Sequence, residues 1–101
     1  MRFILALSLL FASSLLSSAS AQERGPSSPK IKIGAILPLS GAASNFGTLA
    51  RRGIELALED LSPADRARTT VVFEDDGLSN ARSATAANKL LNVDKIDLLL
   101  S

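Results

Sequence analysis

Two short stretches hold the polar side chains best placed to do chemistry. Ser40, Ser44 and Asn45 lie within SGAASN, and the adjacent acids Asp75 and Asp76 open DDGLS. The first stretch precedes a helix. Free N–H groups and the helix dipole at such a start favour a carboxylate or another anion, and Gly41 lets a ligand come close to the backbone. Ser and Asn before a helix also serve as caps, so composition leaves both roles open. The acid pair could meet a ligand ammonium or a cation, or simply shape a turn. Neighbouring side chains at a strand end diverge, which disfavours a shared-proton dyad.

Other chemistries are excluded by what is missing. The 101 residues contain no His and no Cys. That removes the usual zinc sites, disulfides, and any His or Cys acting as base or nucleophile. No G-x-S-x-G elbow is present. Gly41 and Gly47 stand six apart without an intermediate glycine, and no Lys opens the helix, so neither phosphate-cradling motif occurs. The expectation is a protein with no catalytic residue, no metal and no cofactor. A net charge of +1, with four Phe as the only aromatics, also argues against nucleic-acid binding, which needs basic excess and stacking surfaces.

These residues must be positioned by a smaller ordered unit than the length suggests. Residues 1–21 (MRFILALSLLFASSLLSSASA) carry Arg2, then an apolar run from Phe3 to Leu16 in which eleven of fourteen residues are hydrophobic, then Ala19-Ser20-Ala21. This is the order of a cleaved secretory signal peptide, with cleavage expected after Ala21. The run is too short and too broken by Ser to span a bilayer comfortably, since a span takes roughly 20 apolar residues. Its removal leaves ten basic and ten acidic side chains. The charge then says nothing about partners. With no Cys for a lipid anchor, a soluble periplasmic location is the simplest fit. Residues 22–29 (QERGPSSP) read as a flexible leader.

From residue 30 the pattern is β-α-β-α-β. Lys30–Leu37 (KIKIGAIL) turns from alternation to a continuous apolar run, as a strand buried on both faces does, and Pro38 ends it. A helix is expected over Phe46–Leu61, capped by Ser44 or Asn45. Its inner stripe would hold Phe46, Leu49, Ala50, Gly53, Ala57 and Leu61, with Gly53 allowing close helix–sheet packing. Ser62–Asp65 would stop it through Pro63. Thr69–Glu74 is a second strand. Asn80–Asn92 is a second helix with Ser79 as N-cap and an inner stripe of Ala84, Ala87 and Leu91, beside Ala81, Leu90 and Asn88. Lys95–Leu100 is a third strand. Short connections suit parallel strands with helical crossovers, and ligands of such sheets bind beyond the carboxyl ends of the strands. Three strands and two helices make half of a doubly wound sheet. The Leu-rich third strand needs further cover, so the chain is expected to be an N-terminal part of a longer lobe.

The order of motifs resembles a known family. IKIGAILPLSGAASNFGTLARRGIELALEDL, VVFEDDGLSNARSATAANKLL and KIDLLLS look like the start of a bacterial ABC-importer substrate-binding protein of the leucine/isoleucine/valine-binding group, with the type I periplasmic-binding fold. The most specific parts are P-L-S-G, Phe46-Gly47, R-G-I-E-L-A and E-D-D. The resemblance implies the first part of one lobe of a clamshell that closes on a small polar ligand, commonly an amino acid, and delivers it to an inner-membrane ABC permease. Closure around the ligand expels water, and the closed shape presents a new surface to the permease. It places Ser40 and Gly41 at the cleft rim and Phe46 on the cleft wall, where relatives often have Tyr. Phe keeps the apolar wall without the hydroxyl. The relatives' main carboxylate contacts lie after the third strand, and their ammonium contact lies in the other lobe, both beyond Ser101. One departure is Ser62–Arg68 (SPADRAR), where relatives commonly carry a glycine-rich turn. Two other readings stand beside this one: a ligand-sensing receptor domain built on the same clamshell, and a secreted α/β enzyme. A downstream membrane helix with a signalling domain would mark the first. A nucleophile elbow or metal ligands would mark the second.

Overall fold

The computed structural model describes residues 28–101. The expected signal peptide and most of the expected leader lie outside the described residues. Six elements follow one another: β1 (Ile31–Leu37), α1 (Ser44–Glu59), α2 (Pro63–Arg68), β2 (Thr69–Asp75), α3 (Asn80–Asn92) and β3 (Leu98–Leu100). The strands form one parallel sheet in the order β2-β1-β3. β1 is central, which explains its continuous apolar run: Gly34, Ala35 and Ile36 are buried between layers. The register pairs Ile31 with Thr69 and Leu37 with Asp75, and on the other side Ile33 with Leu98.

The core lies under α3. Ile36, Ala86 and Leu90 form its buried centre, with Val72, Ala87 and Ile96 packed against it. The expected stripe on this helix is therefore rotated. Its inner residues are Ala86 and Leu90 with Ala87 beside them, whereas Ala84 and Leu91 face outward. Ala, Leu and Asn alternate closely along this helix, so several stripes were available, and the sheet selected the one that places Leu90 over β1.

α1 differs from expectation in both phase and start. Phe46 and Leu49 are 75% and 70% exposed, and nothing stands within 4 Å of a β-carbon built on Gly53. The helix instead meets the loop after β1 through Gly47, its one buried residue, with Ile54 and Leu58 half-buried. Between α1 and the sheet an open groove of about 450 Å³ is lined by Ile33, Ile54, Leu58, Val71 and Leu100 among others. Arg51 spans this face, its guanidinium 4.7 Å from the centre of the Phe73 ring. Ser44 and Asn45 are helical residues, and the N-cap is Ala43, which offers no side-chain cap bond. The backbone does the capping, with Ser44 N donating to Gly41 O (3.2 Å) and Phe46 N to Ala43 O (3.0 Å).

Pro63 begins a helix instead of ending one, because α1 already stops at Glu59 with Asp60 as its C-cap. Ser62 Oγ accepts from Asp65 N at 3.1 Å and donates to Asp65 Oδ2 at 2.8 Å, and Pro63 occupies the first turn of α2. Proline suits that turn because its missing N–H would have had no partner there. Ser79 caps α3 as expected, accepting from Arg82 N. β3 is shorter than Lys95–Leu100. Lys95 adopts φ +56° to turn the chain out of α3, and Ile96 N donates back to Leu90 O at 3.1 Å. Asp97 then joins β1 in both directions: its N donates to Lys32 O (2.7 Å) and its Oδ2 accepts from Lys32 N (2.8 Å).

Candidate functional site

The carboxyl ends of β1 and β2 lie side by side because the two strands are parallel and in register through Leu37 and Asp75. Two loops emerge there together, Pro38–Ala43 from β1 and Asp76–Ser79 from β2. Both turn sharply through residues with positive φ: Gly41 at +80°, Gly77 at +51° and Leu78 at +61°. Glycine adopts this region freely. Leu78 has no such freedom and is held there by a hydrogen bond from its N–H to Asp76 Oδ1 (3.0 Å). The loops touch: a β-carbon built on Gly77 would lie 3.1 Å from Ser40 Oγ, and one on Gly41 would lie 4.0 Å from Gly77 O.

The two acids point apart, as the strand-end geometry predicts. Asp75 turns toward the first loop. Its Oδ1 accepts from Leu39 N (2.8 Å), Ser40 N (3.1 Å) and Gly77 N (2.9 Å), and its Oδ2 accepts from Arg82 Nη2 (2.9 Å). Asp76 turns toward α3, where its Oδ2 accepts from Ser83 Oγ at 2.6 Å. Each carboxylate gains donors that favour its charged form. Hydrogen bonding with the Ser40 side chain, against an opposing desolvation, and then the Gly77, Leu39 and Arg82 bonds bring the Asp75 pKa down to about 2. The Ser83 hydroxyl and the Leu78 N–H lower that of Asp76. Neither acid shares a proton with the other. Turn-shaping is what both of them do.

Of the three expected ligand contacts, Ser40 and Gly41 sit together at this strand-end rim, with Ser40 half-buried and Gly41 exposed. Phe46 lies in the first turn of α1 with its ring open to solvent. The turn that carries it is fixed against the same loop: a β-carbon on Gly47 would stand 2.0 Å from Pro38 O. Sequence reasoning missed two residues of this arrangement. It allowed Asp75 a turn-forming role, which the Gly77 N bond fits, but did not foresee that the acid also grips the neighbouring strand's loop. It also assigned close packing to Gly53, whereas Gly47 has that role. Parallel register between β1 and β2 would have pointed to Asp75, because it sets the last residue of β2 beside Leu37. Among the described residues, no group of three or more acids is placed to hold a metal ion.

Two kinds of likeness, to a protein family and to a solved structure, say what kind of chain this is. None of the curated proteins matches it. Among solved structures, it is similar to the branched-chain amino acid transporter substrate-binding protein LivJ from Streptococcus pneumoniae, determined in complex with isoleucine. The TM-score is 0.64 at 27% identity, over 71% of this chain and 22% of that one. The present chain thus corresponds to about a fifth of its relative's length. The family described as "Periplasmic binding protein" matches residues 30–101, which are all of the ordered elements. The chain belongs to the periplasmic binding protein family.

Proposed function

We propose that this chain forms the opening part of the first lobe of a periplasmic solute-binding component of an ABC importer. The ligand is a small polar molecule, a branched-chain amino acid by preference, held by closure of two lobes and passed to an inner-membrane permease. Residues 1–21 direct export and are removed after Ala21. The observation that carries this reading is the likeness, over 71% of the chain, to a substrate-binding protein determined in complex with isoleucine. Ser40 and Gly41 form the rim and Phe46 an apolar wall. The exposed ring suits an aliphatic side chain, whose burial is worth roughly 25 cal/mol per Å² of apolar area. A carrier of this kind needs shape, hydrogen bonds and closure, and no reacting side chain.

The test is a thermal-shift titration of the full gene product with leucine, isoleucine and valine. A ligand that binds only the folded state stabilises it by mass action, by about 2.7 kcal/mol at a hundredfold excess over Kd. A rise in Tm with at least one of the three is expected. No shift across a panel of amino acids and small organic acids would sink the proposal.

A further inference from the structure

The rim loop is built from the opposite strand. Pro38–Gly41 follows β1, yet its shape is held by Asp75 at the end of β2, through Leu39 N, Ser40 N and Gly77 N on one oxygen. The other oxygen is held in turn by Arg82 from the first turn of α3, with Arg82 Nη2 also 3.4 Å from Asp75 O. A backbone bond from Asp76 N to Leu37 O (3.2 Å) fixes the base of the arrangement. From the other side, the contact of Gly47 with Pro38 O leaves the loop no room to shift toward α1. Three donors converging on one carboxylate oxygen make a stiff joint, because charge-assisted bonds are stronger than neutral ones. A loop already ordered loses little further freedom when a ligand lands on it.

We infer that Asp75, steadied by Arg82, is the positioning residue of the ligand site: it holds Ser40 and Gly41 in the binding shape without touching the ligand. The inference rests on the proposed function, because it assigns Asp75 a part in binding through the rim that reading places in the site. Asp75→Asn keeps the shape and removes the charge, so it weakens the joint and leaves the loop to be ordered by the ligand. Arg82→Gln removes only the outer support from an exposed side chain, and so leaves the fold intact.

The experiment compares Asp75→Asn, Arg82→Gln and Leu90→Ala in the full gene product. It reads Kd for isoleucine, leucine and valine by calorimetry, Tm, and amide exchange at Leu39 and Ser40. Leu90 lies in the core away from the rim and serves as the control for lost stability. Asp75→Asn is expected to raise Kd about tenfold and to speed exchange at Leu39 and Ser40, consistent with losing a charge-assisted joint. Arg82→Gln is expected to do the same about threefold, and it decides the matter if Asp75→Asn does not fold. Leu90→Ala is expected to lower Tm while leaving Kd within about twofold. Unchanged Kd in both loop variants overturns the positioning role, as does a Leu90→Ala loss of affinity equal to theirs. Failure of the parent protein to bind any member of the wider panel of amino acids and small organic acids overturns the proposed function, and this inference with it; a ligand found in that panel replaces the three amino acids in the comparison.

Discussion

Gly47 and Pro38 are in contact at a distance that no other residue at position 47 could keep. A β-carbon there would lie 2.0 Å from the proline carbonyl oxygen and 2.5 Å from its carbon, both of them backbone atoms. The start of α1 is thereby locked onto the loop that leaves β1, and the adjacent Phe46 is held in the first turn with its ring open to solvent.

Gly47→Ala should therefore be among the most destabilising substitutions in the chain. Overpacking typically costs 1–3 kcal/mol, and this site belongs at or above about 3 kcal/mol because backbone cannot yield as a side chain can. Gly53→Ala should act in the opposite direction. The position is open and helical, so exchanging glycine for alanine should stabilise by roughly 0.5–1 kcal/mol. Chemical denaturation of the two variants reads both signs, and equal effects would contradict the helix placement.

The acid limb of the stability curve should depend on Asp75. Its folded pKa is depressed from 3.8 to about 2, so the unfolded state binds more protons as the pH drops. The stabilisation is present above the unfolded value and is lost as pH falls through about 2. Asp65 and Asp76, whose pKa values are also lowered, act in the same sense. Between pH 4 and pH 2, Asp75→Asn should flatten the fall in Tm relative to the parent. A slope identical to the parent's would contradict the joint.

At the alkaline end the sign reverses. Lys89 bridges Glu74 and Asp94, and these partners raise its pKa above 10.5. Its contribution is present below that value and disappears as the pH rises through the folded pKa. Lys89→Met should reduce stability at pH 8, with its gap from the parent narrowing as the pH rises through the folded pKa of Lys89. The group is exposed, so a small difference is expected, read by Tm.

Leu90→Ala should cost about 2–5 kcal/mol, because Leu90 is fully buried at the centre of the α3 core. Leu91→Ala, one residue on and half exposed, should cost well under half as much. Comparable losses would restore the stripe expected from the sequence.

Residues 28–101 expressed alone should bind an apolar dye and self-associate. Leu98 and Leu100 are 53% and 39% exposed on β3, which forms an edge of the sheet beside an open apolar groove. Unpaired apolar edges recruit other chains. Sedimentation of this segment as a stable monomer without dye binding would contradict the prediction.

The sequence by itself determined the order of the three strands and the two long helices, their parallel arrangement, the Ser79 cap and the divergence of Asp75 and Asp76, while α2 went unread and the family came from the resemblance of the motifs. The elements, the cap and the divergence follow from local rules: apolar run length, turn residues, capping chemistry and short crossovers. It could not determine which way the helices face. On α1 the residues Phe46, Leu49 and Gly53 form one acceptable apolar sector, and Gly47, Ile54 and Leu58 form another. Periodicity sets the spacing within a sector but does not choose between sectors. The choice was made by the Pro38 carbonyl, which admits only a residue without a β-carbon. Pro63 shows the same limit on a smaller scale, since a proline read as a helix stop opens the next helix. The grip of Asp75 on Leu39 and Ser40 spans 35 or more residues. It exists only because the sheet sets the ends of β1 and β2 side by side, and no local pattern contains that distance.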